Sequence, residues 1–330
     1  MTLWEGKVIY SDVSIASQPG GRTTSRIVEH DLATGRETVL IEARPPRTSG
    51  YVLHRSGDWL FCYEGGTTES GPAAFDPPAE YYALDLRSGQ RRHLLTLRGR
   101  SCIGYSSGPN LSGSAFGDDG FAYIAADTSS SECRDQLRLY NLGSGEDRLL
   151  FEVESADTVL DSPLLRSNTV VYNQAWRQEW PRDVIPTPIP GRPDRVLPRY
   201  RITGDIFSLD LETGKRVNLS NSGSASQPAL WDDYLMYIDE PVRAAQEHGS
   251  GEVYVLNLKT GQRQKLTDDA TYMHLYSSPL AGEGFFVWQD AHLDDNEPHS
   301  PIWQLRADGT GELEGIVEDG FLIDAIPAWQ

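Results

Sequence analysis

One hairpin pattern is written six times along this chain, and no other feature constrains the fold as tightly. It reads IVEHDLATGRETVL, YYALDLRSGQRRHL, LRLYNLGSGEDRLL, IFSLDLETGKRVNL, VYVLNLKTGQRQKL and, in a worn form, IWQLRADGTGELEG. The turn glycines are Gly35, Gly89, Gly145, Gly214, Gly261 and Gly311, so by subtraction the copies stand 54, 56, 69, 47 and 50 residues apart. A period of this length marks an architecture of similar units, each burying its apolar face against the next. Ile206, Leu209 and Leu211 before Gly214, with Val217 and Leu219 after it, sketch two half-buried strands. The glycine supplies the positive φ of a tight turn, and an Asp or Asn three or four residues earlier can bond to the turn's own backbone.

Each hairpin is followed by a loop, a short stretch opened by proline, and a strongly apolar strand, as in SPLLRSNTVVYNQA, QPALWDDYLMYIDE and SPLAGEGFFVWQDA. Pro163 to Tyr172, Pro228 to Tyr237 and Pro279 to Trp288 repeat one spacing, and proline is expected at the first residue of a strand, outside the ladder. Second strands are expected at Val8 to Asp12, Trp59 to Glu64, Phe121 to Ala125, Val170 to Asn173, Leu235 to Asp239 and Phe285 to Asp290. Four antiparallel strands per unit of about 50 residues make a propeller blade. The expected fold is therefore all-β: a six-bladed β-propeller in a single domain over residues 1–330. WEGKVIYSD reads as a second-type strand and DAIPAWQ as the missing inner one, so the two ends are expected to share blade 1, over about 1–43 and 321–330. A long insertion, 174–204, falls in blade 4.

Strands ending in VWQD or MYID, followed by xYxLxLxTGxxxxLT, resemble the TolB-type propeller repeat, relatives of which also stand beside the catalytic domain of prolyl oligopeptidase-like peptidases. The resemblance covers nearly the whole chain and implies architecture only. HRSGDWL is the nearest approach to the usual SPDG turn, and the separate N-terminal domain of TolB is expected to have no counterpart.

Acidic residues outnumber basic ones 48 to 29, and a net charge of −19 argues against nucleic acid or an anionic membrane as partner. No apolar run approaches the roughly 18–20 residues of a membrane span, and MTLWEGKVIY lacks the features of a signal peptide. The expectation is a soluble chain, either cytoplasmic or exported and numbered after cleavage. Three cysteines without CxxC spacing indicate neither a disulfide scaffold nor a zinc site. Cys62, within WLFCY, reads as a core residue, while Cys102 and Cys133 fall in loops where a bridge between them is open.

Length variation gathers in the loops at one end of the blades, and variable loops on a rigid scaffold are where binding is usually placed. The insertion AWRQEWPRDVIPTPIPGRPDRVLPRYRITG carries six arginines and six prolines in an acidic protein. That composition suits a stiff arm for a partner or anionic ligand, through Trp176, Arg177, Trp180 and Arg182, or a lid or dimer arm that pairs with the protein's own carboxylates. Aligned on Tyr10, Tyr172, Tyr237 and Trp288, the second strands place Asp12, Gln174, Asp239 and Asp290 at one position. In a closed ring blades five, six and one are neighbours, so Asp12, Asp239 and Asp290 would converge on one arc of a channel mouth with His274, Tyr276, Asp324, and His292, Asp294, Asp295 and His299 of DAHLDDNEPHS.

Two readings follow. In the first, a non-enzymatic propeller binds a protein, peptide or glycan through Asp12, Gln174, Trp176, Arg177, Trp180, Arg182, Asp239, His292 and Asp324. In the second, a lyase, hydrolase or cyclase uses His274, Asp290 and Tyr276 as acid and base, with a divalent cation on Asp239, Asp290 or His292. An Asp at a strand end also commonly caps the following loop, a purely structural role. No HExxH or EF-hand spacing is present, and no cofactor is implied with certainty.

Overall fold

The computed structural model describes residues 2–14, 24–42, 47–66, 79–97, 116–117, 119–127, 134–155, 157–179, 188–189, 192–196, 200–239, 251–267, 280–282, 284–289, 292–293, 298–299, 302–308, 310 and 314–317. Every regular element among them is a strand. The chain forms two compact units, one built on Met1–Ala156 and the other on Asp157–Asp324.

In the first unit, β1 (Thr2–Trp4), β2 (Lys7–Ser14), β3 (Thr24–Asp31) and β4 (Glu37–Glu42) form an antiparallel sheet in that order. A second follows from β5 (Arg47–Ser56), β6 (Trp59–Gly66), β7 (Ala79–Asp85) and β8 (Arg91–Leu97). β9 (Gly120–Asp127), β10 (Arg134–Asn141) and β11 (Asp147–Glu152) make a third with three strands among the described residues.

The second unit begins with β12 (Thr158–Arg166) and β13 (Thr169–Glu179). After a small ribbon of β14 (Pro188–Ile189) and β15 (Arg192–Val196), their sheet is completed by β16 (Tyr200–Asp210) and β17 (Arg216–Asn218). The next is β18 (Ala225–Trp231), β19 (Tyr234–Asp239), β20 (Glu252–Asn257) and β21 (Arg263–Lys265). The last joins β22 (Leu280–Gly282), β23 (Phe285–Gln289), β26 (Ile302–Arg306) and β27 (Glu314–Val317), with β24 (His292–Leu293) and β25 (Pro298–His299) paired separately.

The repeated turn is built as its residues dictate. Gly35, Gly89, Gly145, Gly214 and Gly261 take φ between 69° and 75°. In the best-bonded copy, Asp210 Oδ1 accepts the N–H groups of Glu212 and Thr213 at 3.1 and 2.7 Å and the Thr213 hydroxyl at 2.7 Å. These bonds, led by the Thr213 N–H, hold the Asp210 carboxyl below its ordinary pKa. Asp31, Asp85 and Asn257 serve their turns in the same way.

Two of the three prolines do not open their strands, and Pro279 lies outside the described residues. Pro163 lies within β12 and Pro228 within β18, where the register shifts between Asp161 and Leu164 and between Ser226 and Ala229. Each therefore sits in a β-bulge, where the ladder is already interrupted and the missing N–H costs nothing. The preceding Ser162 and Gln227 take φ of 49° and 52°, a conformation that non-glycine residues seldom adopt.

The first sheet also departs from expectation. Glu5 and Gly6, with φ of 46° and 77°, fold WEGKVIYSD into a hairpin in which Trp4 pairs with Lys7, so Thr2–Trp4 take the place beside β2. The C-terminal stretch expected there lies outside the described residues.

Within each unit, successive sheets are held by apolar faces. Ile9 and Ile27 of the first sheet pack with Leu60, Cys62, Tyr82 and Leu84 of the second. Phe61, Tyr81 and Ala83 on the opposite face of that second sheet join Phe116, Phe121, Tyr123 and Tyr140. In the second unit, Leu164, Val171 and Ile206 meet Leu235, Tyr237 and Leu256, while Met236, Val253 and Val255 meet Phe286, Trp288 and Leu305. Cys62 is a buried free thiol, as expected, and burial pushes its pKa up. Cys102 and Cys133 lie outside the described residues.

His54 lies within this packing, its ring stacked on Phe116 at 4.9 Å. Burial, with the nearby Arg55 charge, lowers its pKa to about 4. Unfolded histidine titrates near 6.5, so between the two values the unfolded chain binds more protons and stability rises with pH. The contribution is complete above about pH 6.5 and falls on acidification toward about pH 4, by at most about 3 kcal/mol. Urea unfolding of His54→Phe, which keeps the stack, is expected to show a flatter dependence on pH across this window than the parent.

Candidate functional site

The ends of the second strands, where the aligned acidic positions fall, are built as arginine clamps. In β6, Glu64 accepts Arg91 Nη1 and Nη2 at 3.0 and 3.1 Å, and the guanidinium lies 3.5 Å from the centre of the Tyr82 ring. In β19, Asp239 is only 7% exposed; its Oδ2 accepts Arg263 Nη2 at 2.8 Å and its Oδ1 accepts Ser224 Oγ at 2.5 Å. Arg263 lies 3.8 Å from the ring centre of Tyr254 and 5.3 Å from that of Tyr237. In β13, Arg216 Nη2 donates to Gln174 Oε1 and lies 4.0 Å from the Phe207 ring centre. A guanidinium over an aromatic face gains from the ring quadrupole while its fork serves a carboxylate.

All three arginines stand two residues after a turn glycine, in SGQR, TGKR and TGQR. That was a legible signal, passed over because an arginine beside a surface turn reads as solvated. Where the same position is acidic, arginine comes from the third strand. Arg26 Nε donates to Asp12 Oδ2 at 2.7 Å, and Arg138 Nε donates to Asp147 Oδ1 at 3.0 Å. Asp12 and Asp239 thus spend their charge within their own sheets. Burial pushes the neighbouring Tyr237 and Tyr172 hydroxyls up to about 12 against the pull of Arg263 and Arg216, so neither serves as a base near neutral pH.

A second polar group in this unit escaped the sequence reading. Asp205, 6% exposed, accepts Ser220 Oγ at 2.7 Å, Asn218 Nδ2 at 2.9 Å and the N–H groups of Ser222 and Gly223, each at 2.8 Å. Burial pushes its carboxyl up, but bonds from Gly223, Ser220, Asn218 and Ser222 hold it below the ordinary value. Ser224, on the same short segment, serves Asp239, so one turn ties both buried carboxylates. The two are joined through this turn.

The insertion is shorter than 174–204. Residues Gln174 to Glu179 continue β13 and pair with Tyr200 to Asp205 of β16, out to Glu179 opposite Tyr200. β12 ends its pairing at Thr158 opposite Trp176, and β17 reaches only Asn218 opposite Phe207. The two long strands therefore run on as a two-stranded ladder carrying Arg177 beyond Trp176, and Trp176 is half-buried. Polar, arginine-rich sequence hid this extension, which backbone pairing alone specifies.

His292 stands in β24 opposite His299. Trp180, Arg182, His274, Tyr276, Asp290, Asp294, Asp295 and Asp324 lie outside the described residues. Among the described residues no group of three or more His, Cys, Asp or Glu could hold a metal ion.

Antiparallel sheets fed by the same hairpin and, within each unit, packed face to face on the next are the arrangement of a β-propeller. No family model matches the chain, and no curated protein matches it in sequence. Solved structures do match. The β-propeller domain of the Trilobed protease from Pyrococcus furiosus, described as having an open velcro topology, is similar over 96% of this chain and 81% of its own, with TM-score 0.57 and 13% identity. An oligogalacturonate lyase in complex with manganese is similar over 95% of this chain and 74% of its own, with TM-score 0.55 and 13% identity. An acylaminoacyl peptidase from Pyrococcus horikoshii matches over 95% of this chain but 44% of its own, with TM-score 0.58 and 13% identity. At these identities the likeness is one of fold.

Removing one partner of a buried ion pair strands the other, at about 3 kcal/mol, whereas an exposed pair contributes little. Arg263→Ala is accordingly expected to destabilise the protein by about 3 kcal/mol in urea unfolding, while Arg26→Ala leaves it nearly unchanged.

Proposed function

We propose that this chain is a six-bladed β-propeller that binds a protein, peptide or glycan through its loops. Five four-stranded sheets and one of three strands among the described residues support the blade number. The observation that carries the binding reading is the β13–β16 ladder, which outruns its own sheet and bears Trp176 and Arg177. The ladder and the sequence joining its two strands, residues 175–204, hold six arginines of the chain's 29 basic residues. Aromatic residues and arginine are the side chains that most often anchor interfaces. The clamping of Asp12 and Asp239 favours binding over acid–base chemistry at those positions.

Deleting residues 182–199 is expected to lower capture on peptide and glycan arrays at least about tenfold, a loss of about 1.4 kcal/mol in affinity. The melting temperature should stay nearly unchanged. A deletion that unfolds the chain would make the arm a structural element and remove the support for binding.

A second reading is favoured by one specific observation, the similarity to a lyase in complex with manganese. In it His274, Tyr276 and Asp290 provide acid–base groups at a blade end, assisted by a divalent cation. Elemental analysis of the purified protein tests it. A stoichiometric metal lost in the Asp290→Asn, His274→Ala double variant supports an enzyme, and its retention there counts against these residues.

A further inference from the structure

The three clamp arginines share one address. Arg91, Arg216 and Arg263 stand opposite Leu84, Leu209 and Leu256 in the ladders of their third and fourth strands. Each guanidinium lies over the ring two residues before that leucine, 3.5 Å from the centre of Tyr82, 4.0 Å from Phe207 and 3.8 Å from Tyr254. The last sheet repeats the leucine and the ring, as Leu305 and Trp303 of β26, and then breaks the pattern. Two residues after its turn glycine, Gly311, the sequence has Leu313 in place of arginine. Opposite Trp303 stands Gly315, where Tyr254 has Lys265 and Phe207 has Asn218. Across β23 Trp303 faces a second tryptophan, Trp288, where Tyr254 has Tyr237. We propose that Trp303 is a docking site for an arginine side chain of a bound peptide, which supplies the guanidinium that three other sheets provide for themselves.

Tryptophan attracts a cation over its face more strongly than tyrosine or phenylalanine. The last sheet thus carries the strongest ring at the very address where its sequence lacks the cation. Directly opposed residues of antiparallel strands lie on one face of the sheet, so Trp288, Trp303 and Gly315 share a face, and the glycine adds no side chain beside the indole. Trp288 is 1% exposed and packs with Met236 and Val253, whereas Trp303 is half-buried at the margin of that cluster. Trp303 is therefore the ring a ligand reaches. The same order holds in the clamps, where Arg216 and Arg263 lie farther from the second-strand rings of Tyr172 and Tyr237, at 5.7 and 5.3 Å. No cation among the described residues lies over either indole. Neither indole N–H has an acceptor among them. A peptide brings main-chain carbonyl oxygens that accept such bonds, which a simple cation does not. Arginine suits the ring better than lysine because its planar group stacks, and a net charge of −19 draws basic partners. Leu313 lies outside the described residues and enters through its identity alone. The inference rests on neither reading of function given above, since it uses none of their residues.

Titration of the full chain with the peptide acetyl-Gly-Arg-Gly-amide, followed by NMR of the indole N–H signals, tests it. A saturable shift of the Trp303 signal is expected, that signal being identified by its loss in Trp303→Phe. The same peptide with citrulline for arginine keeps the shape and loses the charge, and it should bind at least about fivefold more weakly. Trp303→Leu should weaken the arginine peptide by at least about the same factor, a change of about 1 kcal/mol. Leu313→Arg, which restores the clamp from within, should abolish binding, and it keeps the test decisive where Trp303→Leu fails to fold. The proposal is overturned by absence of saturable binding, by equal binding of the citrulline peptide, by binding that survives Trp303→Leu, or by unchanged binding in Leu313→Arg. Loss of the arginine peptide on deleting residues 182–199, with Trp303→Leu unaffected, would overturn it too while supporting the β13–β16 reading.

Discussion

Burial of one sheet's face against the next is the interaction on which everything else in each unit depends. A four-stranded antiparallel sheet has too little apolar surface to be stable alone and gains it only from neighbours. The second and third strands therefore carry apolar residues on both faces. Phe61 and Cys62 are adjacent in sequence yet belong to different clusters, one toward each neighbouring sheet. Met236 and Tyr237 divide in the same way between theirs. The fourth strands, whose exposed residues include Val39, Leu149 and Val217, are free to be polar and to present the arginines of the clamps.

Those clamps explain how an acidic protein tolerates carboxylates beside its cores. Glu64 and Asp239 would be expensive to bury alone, and each is met by a guanidinium that also covers an aromatic ring. Arginine suits this better than lysine, because its planar fork engages a carboxylate while its face lies flat on the ring. Asp12, Glu64 and Asp239, acids on second strands, are thereby internal fastenings.

Much of the fold could be read from local chemistry. The hairpin turns depend on one glycine and one Asp or Asn, so their geometry is encoded within five residues. The second strands announce themselves by apolar runs; those expected at Trp59 to Glu64, Phe121 to Ala125 and Leu235 to Asp239 differ from the observed ones by no more than two residues at either end. Features set by pairing were less legible. Pro163 looks like a strand opener until its partner strand shows the register shift around it. Glu5 and Gly6 look like strand residues until their turn is seen. Of the candidate site, Asp239 ends β19, whereas Asp12 and Gln174 lie inside β2 and β13, and the arginine partners of Asp12, Gln174 and Asp239 lie 14, 42 and 24 residues away.

The amino-acid sequence by itself determined the repeat, the all-β class and the turn chemistry, because each follows from short-range alternation and from the conformational freedom of glycine. Only the tertiary structure decided which carboxylates are neutralised, where the ladder outruns its sheet and which histidines stand opposite one another. These depend on strand register, and register is fixed by the sum of contacts along two paired strands rather than by any residue within one of them.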